Sequence, residues 1–144
     1  MVADSVDNLQ RLVDALPEYE NQIRYWESQL DSISNVHADI IQAKETLNGM
    51  LDSENKMEML VPVGHNTSIF TTVEDVDRIL VGIGSRVYME TSRTDSVKRL
   101  DRRIEDLEKA SKTYRENLTK AQQDYVTIRE RAEYLSSQKK VNNV

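Results

Sequence analysis

Residues 56–91, KMEMLVPVGHNTSIFTTVEDVDRILVGIGSRVYMET, decide how this chain folds, because they hold nearly all of its β-type sequence and both of its internal turn signals. Apolar residues alternate through 56–63 (KMEMLVPV) and again through 69–73 (IFTTV), with the turn formers Gly64, His65, Asn66 and Thr67 between them. That pattern predicts a hairpin. After a polar spacer (Glu74, Asp75, Val76, Asp77), residues 78–83 (RILVGI) and 86–91 (RVYMET) form a second pair, separated only by Gly84 and Ser85. Glycine at the first central position predicts a two-residue type II′ turn. Both faces of these strands want cover: Met57, Met59, Val61 and Val63 oppose Leu60 and Pro62, and Ile79, Val81 and Ile83 oppose Leu80. So small a sheet leaves open apolar edges, which invite pairing with another chain.

Outward from this segment, each flank reads as one long helix. Before it, two columns recur every seven residues: Leu9, Leu16, Ile23, Leu30, His37, Lys44, Leu51, and Leu12, Tyr19, Trp26, Ile33, Ile40, Leu47, Glu54. Most are apolar or aromatic, which predicts a coiled-coil seam on a helix of about 45–50 residues, ~70 Å long. Pro17 predicts a kink near Val13 to Leu16, or a separate short helix before it, because proline removes a backbone bond and clashes with the preceding turn. Asp52 to Asn55 read as the helix end, with Asn48 and Gly49 as an earlier stop. After the hairpins, Thr94 or Asp95 is expected to cap a second helix. Its seam is Val97, Leu100, Ile104, Leu107, Ser111, Tyr114, Leu118, Ala121, Tyr125, Ile128, Ala132 and Leu135. The two helices are expected to fold back as an antiparallel pair. Size complementarity favours Tyr19 opposite Ala132, Leu30 opposite Ala121 and Ile40 opposite Ser111, over a register slipped by one heptad.

The fold class expected is mainly α with a small β region: a long antiparallel two-helix coiled coil joined by two β-hairpins whose apolar strands are expected to drive assembly with other chains. Residues 5–54 form the first helix, 56–91 the double hairpin and 95–139 the second helix.

The runs Leu60-Val61-Pro62-Val63-Gly64 and Ile79-Leu80-Val81-Gly82-Ile83-Gly84-Ser85-Arg86-Val87-Tyr88-Met89-Glu90, with their helical flanks, resemble the double hairpin of α-type prefoldin subunits of the archaeal form. The resemblance implies a hexamer of two α-type and four β-type subunits, with a β-barrel body and projecting coiled coils. It further implies an ATP-independent molecular chaperone subunit without cofactors, which captures unfolded proteins at the coiled-coil tips, prevents aggregation and hands them to a group II chaperonin. Val61, Val63, Ile69, Phe70, Leu80, Val81, Ile83, Val87 and Tyr88 are the expected subunit-assembly residues. Val2, Val6, Leu9, Val13, Tyr134, Leu135 and Val141 are the expected client-binding residues, since exposed apolar groups engage many unfolded chains without sequence specificity. Two other readings are a homo-oligomeric prefoldin-like holdase and a structural coiled-coil scaffold without chaperone activity.

Composition points the same way. Charged residues make up 31% and aromatics 6% of 144 residues, with four glycines and two prolines, which favours an elongated chain with few turns. Cysteine is absent, so no thiol chemistry is available. The N-terminus lacks the pattern of a signal peptide and no apolar run is long enough to span a membrane, so a cytoplasmic protein is expected. The net charge of −6 is unevenly spread, from an acidic first helix to a basic second one. The second helix intersperses Glu105, Asp106, Glu108, Glu116, Glu130 and Glu133 among its bases, which reads as a mixed solvated face and not as a nucleic-acid surface. His37 on the seam and His65 in a turn lack the companions of a metal site. Gly82 and Gly84 have no helix following them and make no phosphate loop. With no convergent catalytic groups, the chain is not expected to be an enzyme.

Overall fold

The computed structural model describes the backbone of residues 2–50 and 56–141 and the side chains of 7–50 and 56–138. In order, the elements are α1 (Val2–Gly49), β1 (Met57–Gly64), β2 (Thr67–Val73), β3 (Ile79–Gly84), β4 (Val87–Thr91) and α2 (Arg93–Val141). They group into two compact units, Met1–Ser34 with Glu108–Val144, and Asn35–Leu107. Every described seam position of both helices is buried or half-buried, including His37, Lys44 and Ser111.

The Met1–Ser34/Glu108–Val144 unit pairs the helices antiparallel: the Tyr125 hydroxyl donates to Glu20 Oε1 at 3.1 Å, and Trp26 packs on Tyr114 with ring centroids 5.2 Å apart. These contacts correct the expected register. Tyr19 shares a groove with Lys120, Ala121 and Asp124, well short of Ala132. The alternative slipped by one heptad, with Leu12 opposite Ala132, is the one the contacts follow. Size could not decide, because a heptad slip keeps both seam columns and still sets Ala121 and Ala132 against large residues. Pro17 lies inside α1, which continues through it, so no separate short helix precedes it. Proline there forfeits one backbone bond, and the seam on either side of it, from Leu9 to Tyr19, stays half-buried.

The Asn35–Leu107 unit holds the two hairpins. β1 pairs antiparallel with β2, and β3 with β4, as two separate two-stranded sheets. Both hairpins turn by the same device. His65 and Asn66 have φ of +41° and +55°, Ser85 and Arg86 have +49° and +61°, and the glycine before each pair has φ +118° (Gly64) or +109° (Gly84). Positive φ at both central residues is the pattern of a type I′ turn. The second turn is therefore centred on Ser85-Arg86 and not on Gly84-Ser85, and it is not type II′. Gly84 pairs with Val87 and sits beside a bulge after Gly82, as Gly64 sits beside one after Pro62. Its φ is open to glycine at little cost, so the glycine serves the bulge and leaves the turn to the next two residues.

Between the hairpins, the Asp77 amide donates to Asp75 Oδ1 at 3.0 Å and Val76 is buried, so the polar spacer has an apolar anchor. Ser92, and not Thr94 or Asp95, caps α2: its Oγ accepts from the Asp95 amide at 3.1 Å, three residues into the helix, which is the reach of an N-cap hydroxyl. Asp77 Oδ1 accepts from the Arg93 amide at 2.9 Å, satisfying a second orphan donor. α1 closes at Gly49, the earlier of its two stops; residues 52–55 lie outside the described residues.

Candidate functional site

The hairpins display what the rest of the chain covers. Cross-strand register sets Leu60 beside Phe70 and Val61 beside Ile69 on opposite faces of the first hairpin. On the second, Leu80 stands opposite Glu90 and Tyr88 opposite Gly82, where a methyl group would meet the tyrosine ring at 3.4 Å. Of the nine expected assembly residues, eight are exposed: Val61, Val63, Ile69, Phe70, Leu80, Ile83, Val87 and Tyr88. Phe70 is 76% exposed, Leu80 66% and Tyr88 64%. Val81 is half-buried, as are Met57, Met59 and Met89. Leu60, outside the expected set, is also exposed and completes the pair with Phe70; its signal was its place opposite the Met57–Val63 row.

Along β3 runs a groove of about 650 Å³, lined by Gln42, Ala43, Thr46 and Leu47 of α1, Ile79 to Gly82 of β3, and Ser96 and Leu100 of α2. Among the described residues β3 pairs only with β4, so its backbone on the other side is open to a further strand. At the base of this hairpin Arg78 donates to Glu90 from Nε (2.9 Å) and Nη2 (3.0 Å), a two-pronged fork. These hydrogen bonds, reinforced by charge attraction, hold the Glu90 carboxyl below its usual 4.5 and raise the Arg78 guanidinium further. In the other unit, the hydrogen bond to Glu20 raises the Tyr125 phenol above 10.0.

The expected client-binding residues divide. Val13 and Tyr134 are exposed, Tyr134 at 61%, and the Tyr134 hydroxyl accepts from Gln138 Nε2 at 2.6 Å. Leu9 and Leu135 are half-buried members of the seams. The side chains of Val2, Val6 and Val141 lie outside the described residues. All four described members belong to the same compact unit.

Among the described residues, no three His, Asp or Glu side chains stand together as metal ligands, and no helix is long and apolar enough to cross a membrane. His37 is half-buried in the seam and His65 exposed in its turn.

Comparison with known proteins fits this architecture. A family model described as Prefoldin subunit matches residues 19–138. The chain is 29% identical over 102 residues to prefoldin subunit alpha of Methanopyrus kandleri, covering 71% of this chain and 65% of that protein. It is likewise 29% identical over 117 residues to prefoldin subunit alpha 1 of Methanocaldococcus jannaschii, covering 81% and 78%. Its fold is similar to a chain of the filamentous PFD from Methanocaldococcus jannaschii, solved by cryo-EM, with a TM-score of 0.68 and 20% identity over 81% of this chain and 94% of that one. With the helix pair, the twin hairpins and the matched length in agreement, the chain belongs to the prefoldin family, as an α-type subunit of the archaeal kind.

Proposed function

We propose that this prefoldin chaperone subunit joins β-type subunits, two copies with four, through its hairpins, and that the complex captures unfolded polypeptides in the cytoplasm without ATP. The observation that carries the assembly half is the apolar exposure of both hairpin faces. Two-stranded sheets are marginal alone, and these hairpins have almost no core of their own: among the described residues, the buried apolar side chains are Met50, Val76, Leu107, Ala121 and Ala132, none of them in a strand. A β-barrel body shared between subunits would cover Phe70, Leu80 and Tyr88 and pair the free edge of β3. Client capture is assigned to the helix ends, where Val13 and Tyr134 are exposed. Several such ends on one body would add avidity to weak contacts. Delivery to a group II chaperonin completes the proposed activity.

Native mass spectrometry of the tagged chain isolated from its own organism tests the assembly. Two copies with four of a smaller coiled-coil subunit is the expected result. A one-to-one complex with a folded protein would favour a scaffold instead. A filament of this chain is the second reading, favoured by its fold neighbour having been solved as filamentous PFD. Removing residues 1–12 and 133–144 tests the client surface: assembly should survive while suppression of aggregation falls.

A further inference from the structure

Asn48-Gly49 is the one place in the chain where glycine follows asparagine; every other asparagine is followed by leucine, glutamine, valine, lysine, threonine or asparagine. α1 closes on this pair, at Gly49. Stopping a helix accounts for the glycine, and the asparagine before it adds chemistry of its own.

Asn48 and Gly49 are both exposed, and a methyl group built on Gly49 would meet nothing within 4 Å. Water therefore reaches the side-chain amide, and no neighbour packed against Gly49 holds its peptide in place. Inside a helix an asparagine is protected, because the amide that follows it is engaged with the carbonyl four residues back. At the last residue that protection lapses whenever the final turn frays, and only proline is a poorer helix former than glycine. Once frayed, Gly49 reaches backbone angles closed to other residues and has no Cβ to shield its nitrogen. Asn21 supplies the contrast on the same helix. It is also exposed, but it lies well inside α1, is followed by Gln22, and its Oδ1 accepts from Arg24 Nη2 at 2.6 Å.

We propose that Asn48 is a self-modifying site, which converts to aspartate and isoaspartate without an enzyme. The deprotonated Gly49 nitrogen attacks Asn48 Cγ; the N–Cγ bond forms, the Cγ–Nδ2 bond breaks, and the side-chain nitrogen leaves as ammonia. The product is a cyclic succinimide, which water then opens, so the whole change consumes one water and releases one ammonia. Opening at Cγ leaves aspartate. Opening at the main-chain carbonyl leaves isoaspartate, whose backbone runs through Cβ and gains one carbon between α1 and β1. Either product sets a carboxylate at the negative end of the α1 dipole, in a last turn that holds no basic residue, two positions before the buried Met50. Conversion weakens the end of α1 that leads into the hairpins and ages the chain at that joint. The proposal does not rest on the chaperone reading.

The test incubates the full-length protein at mildly alkaline pH in water enriched in heavy oxygen, then digests it with trypsin in ordinary water. Peptides 45–56 and 12–24 carry Asn48 and Asn21 and are compared by mass spectrometry, with fragment ions separating Asn48 from Asn55. Heavy oxygen in the product marks conversion during the incubation, and an isoaspartyl methyltransferase counts the isoaspartate. Asn48 is expected to convert at least about ten-fold faster than Asn21, and Gly49→Ala to slow it about ten-fold, because alanine removes the glycine's freedom and strengthens the last turn. Alanine meets open space there, so the variant keeps its fold. Conversion of Asn48 no faster than Asn21, or a rate that G49A leaves unchanged, would overturn the proposal.

Discussion

Arg86 occupies the second central position of the β3–β4 turn at φ +61°, directly after Ser85 at +49°. For an L-residue the left-handed region costs about 1–2 kcal/mol, and glycine avoids it at an entropic cost of about 0.5–1 kcal/mol. Arg86→Gly is therefore expected to stabilise the folded protein by about 0.5–1 kcal/mol in denaturant unfolding, and a β-branched residue there to destabilise it. The sequence showed that a turn lay here; it did not show that Gly84 would be spent on the bulge. Arg78 and Glu90 were equally hidden, because their fork depends on the strand register that brings Glu90 opposite Leu80. Glu90 has its folded carboxyl lowered by Arg78, so the pair's contribution is present above the ordinary carboxylate range and is lost as pH falls through the lowered value. A carboxyl-detected NMR titration should find Glu90 below 4.5, and R78Q should return it to the ordinary range. An unmoved Glu90 in R78Q would mean that the fork does not persist in solution.

The helices were legible as elements and illegible as a pair. Seven-residue columns follow from the 3.6-residue turn and survive any heptad slip, so sequence finds the seam and leaves the register open. Polar neighbours decide it: Glu20 with Tyr125, and in the other unit Lys44 with Asp101. Lys44, a charge on the seam, is one half of an ion pair that fits this register. The chain has no cysteine of its own, which makes the register simple to test. Leu12→Cys with Ala132→Cys is expected to crosslink readily under mild oxidation, and Tyr19→Cys with Ala132→Cys weakly. The reverse ranking would restore the register that size alone favoured. Pro17 carries a related lesson: local propensity argued for a break, and a seam that continues past it kept α1 whole.

At the scale of the whole molecule, the apolar exposure of the hairpins was readable, because strands apolar on both faces have too little chain of their own to cover them. The groove that Tyr19 shares with Lys120 was not, since its lining from two helices comes together only once the register is known. Most large apolar side chains of the hairpins remain exposed in the single chain, so their burial is the stability that the proposed complex would gain. Fully burying a side chain such as phenylalanine contributes about 1.5–3 kcal/mol, or roughly ten- to over a hundred-fold in an association constant. Phe70 is the most exposed of these groups and pairs with Leu60 across the hairpin, so Phe70→Asp replaces that gain with the cost of desolvating a charge. The expected result is a complex that falls apart at micromolar concentration in size-exclusion chromatography with light scattering, while the helical circular dichroism signal persists. Client binding should weaken in step, because single subunits lose the avidity of linked helix ends. If F70D instead forms the full-size complex at undiminished affinity, the Leu60/Phe70 face is not covered by a partner, and assembly must run through the opposite face of the hairpin, where Val61, Val63 and Ile69 lie.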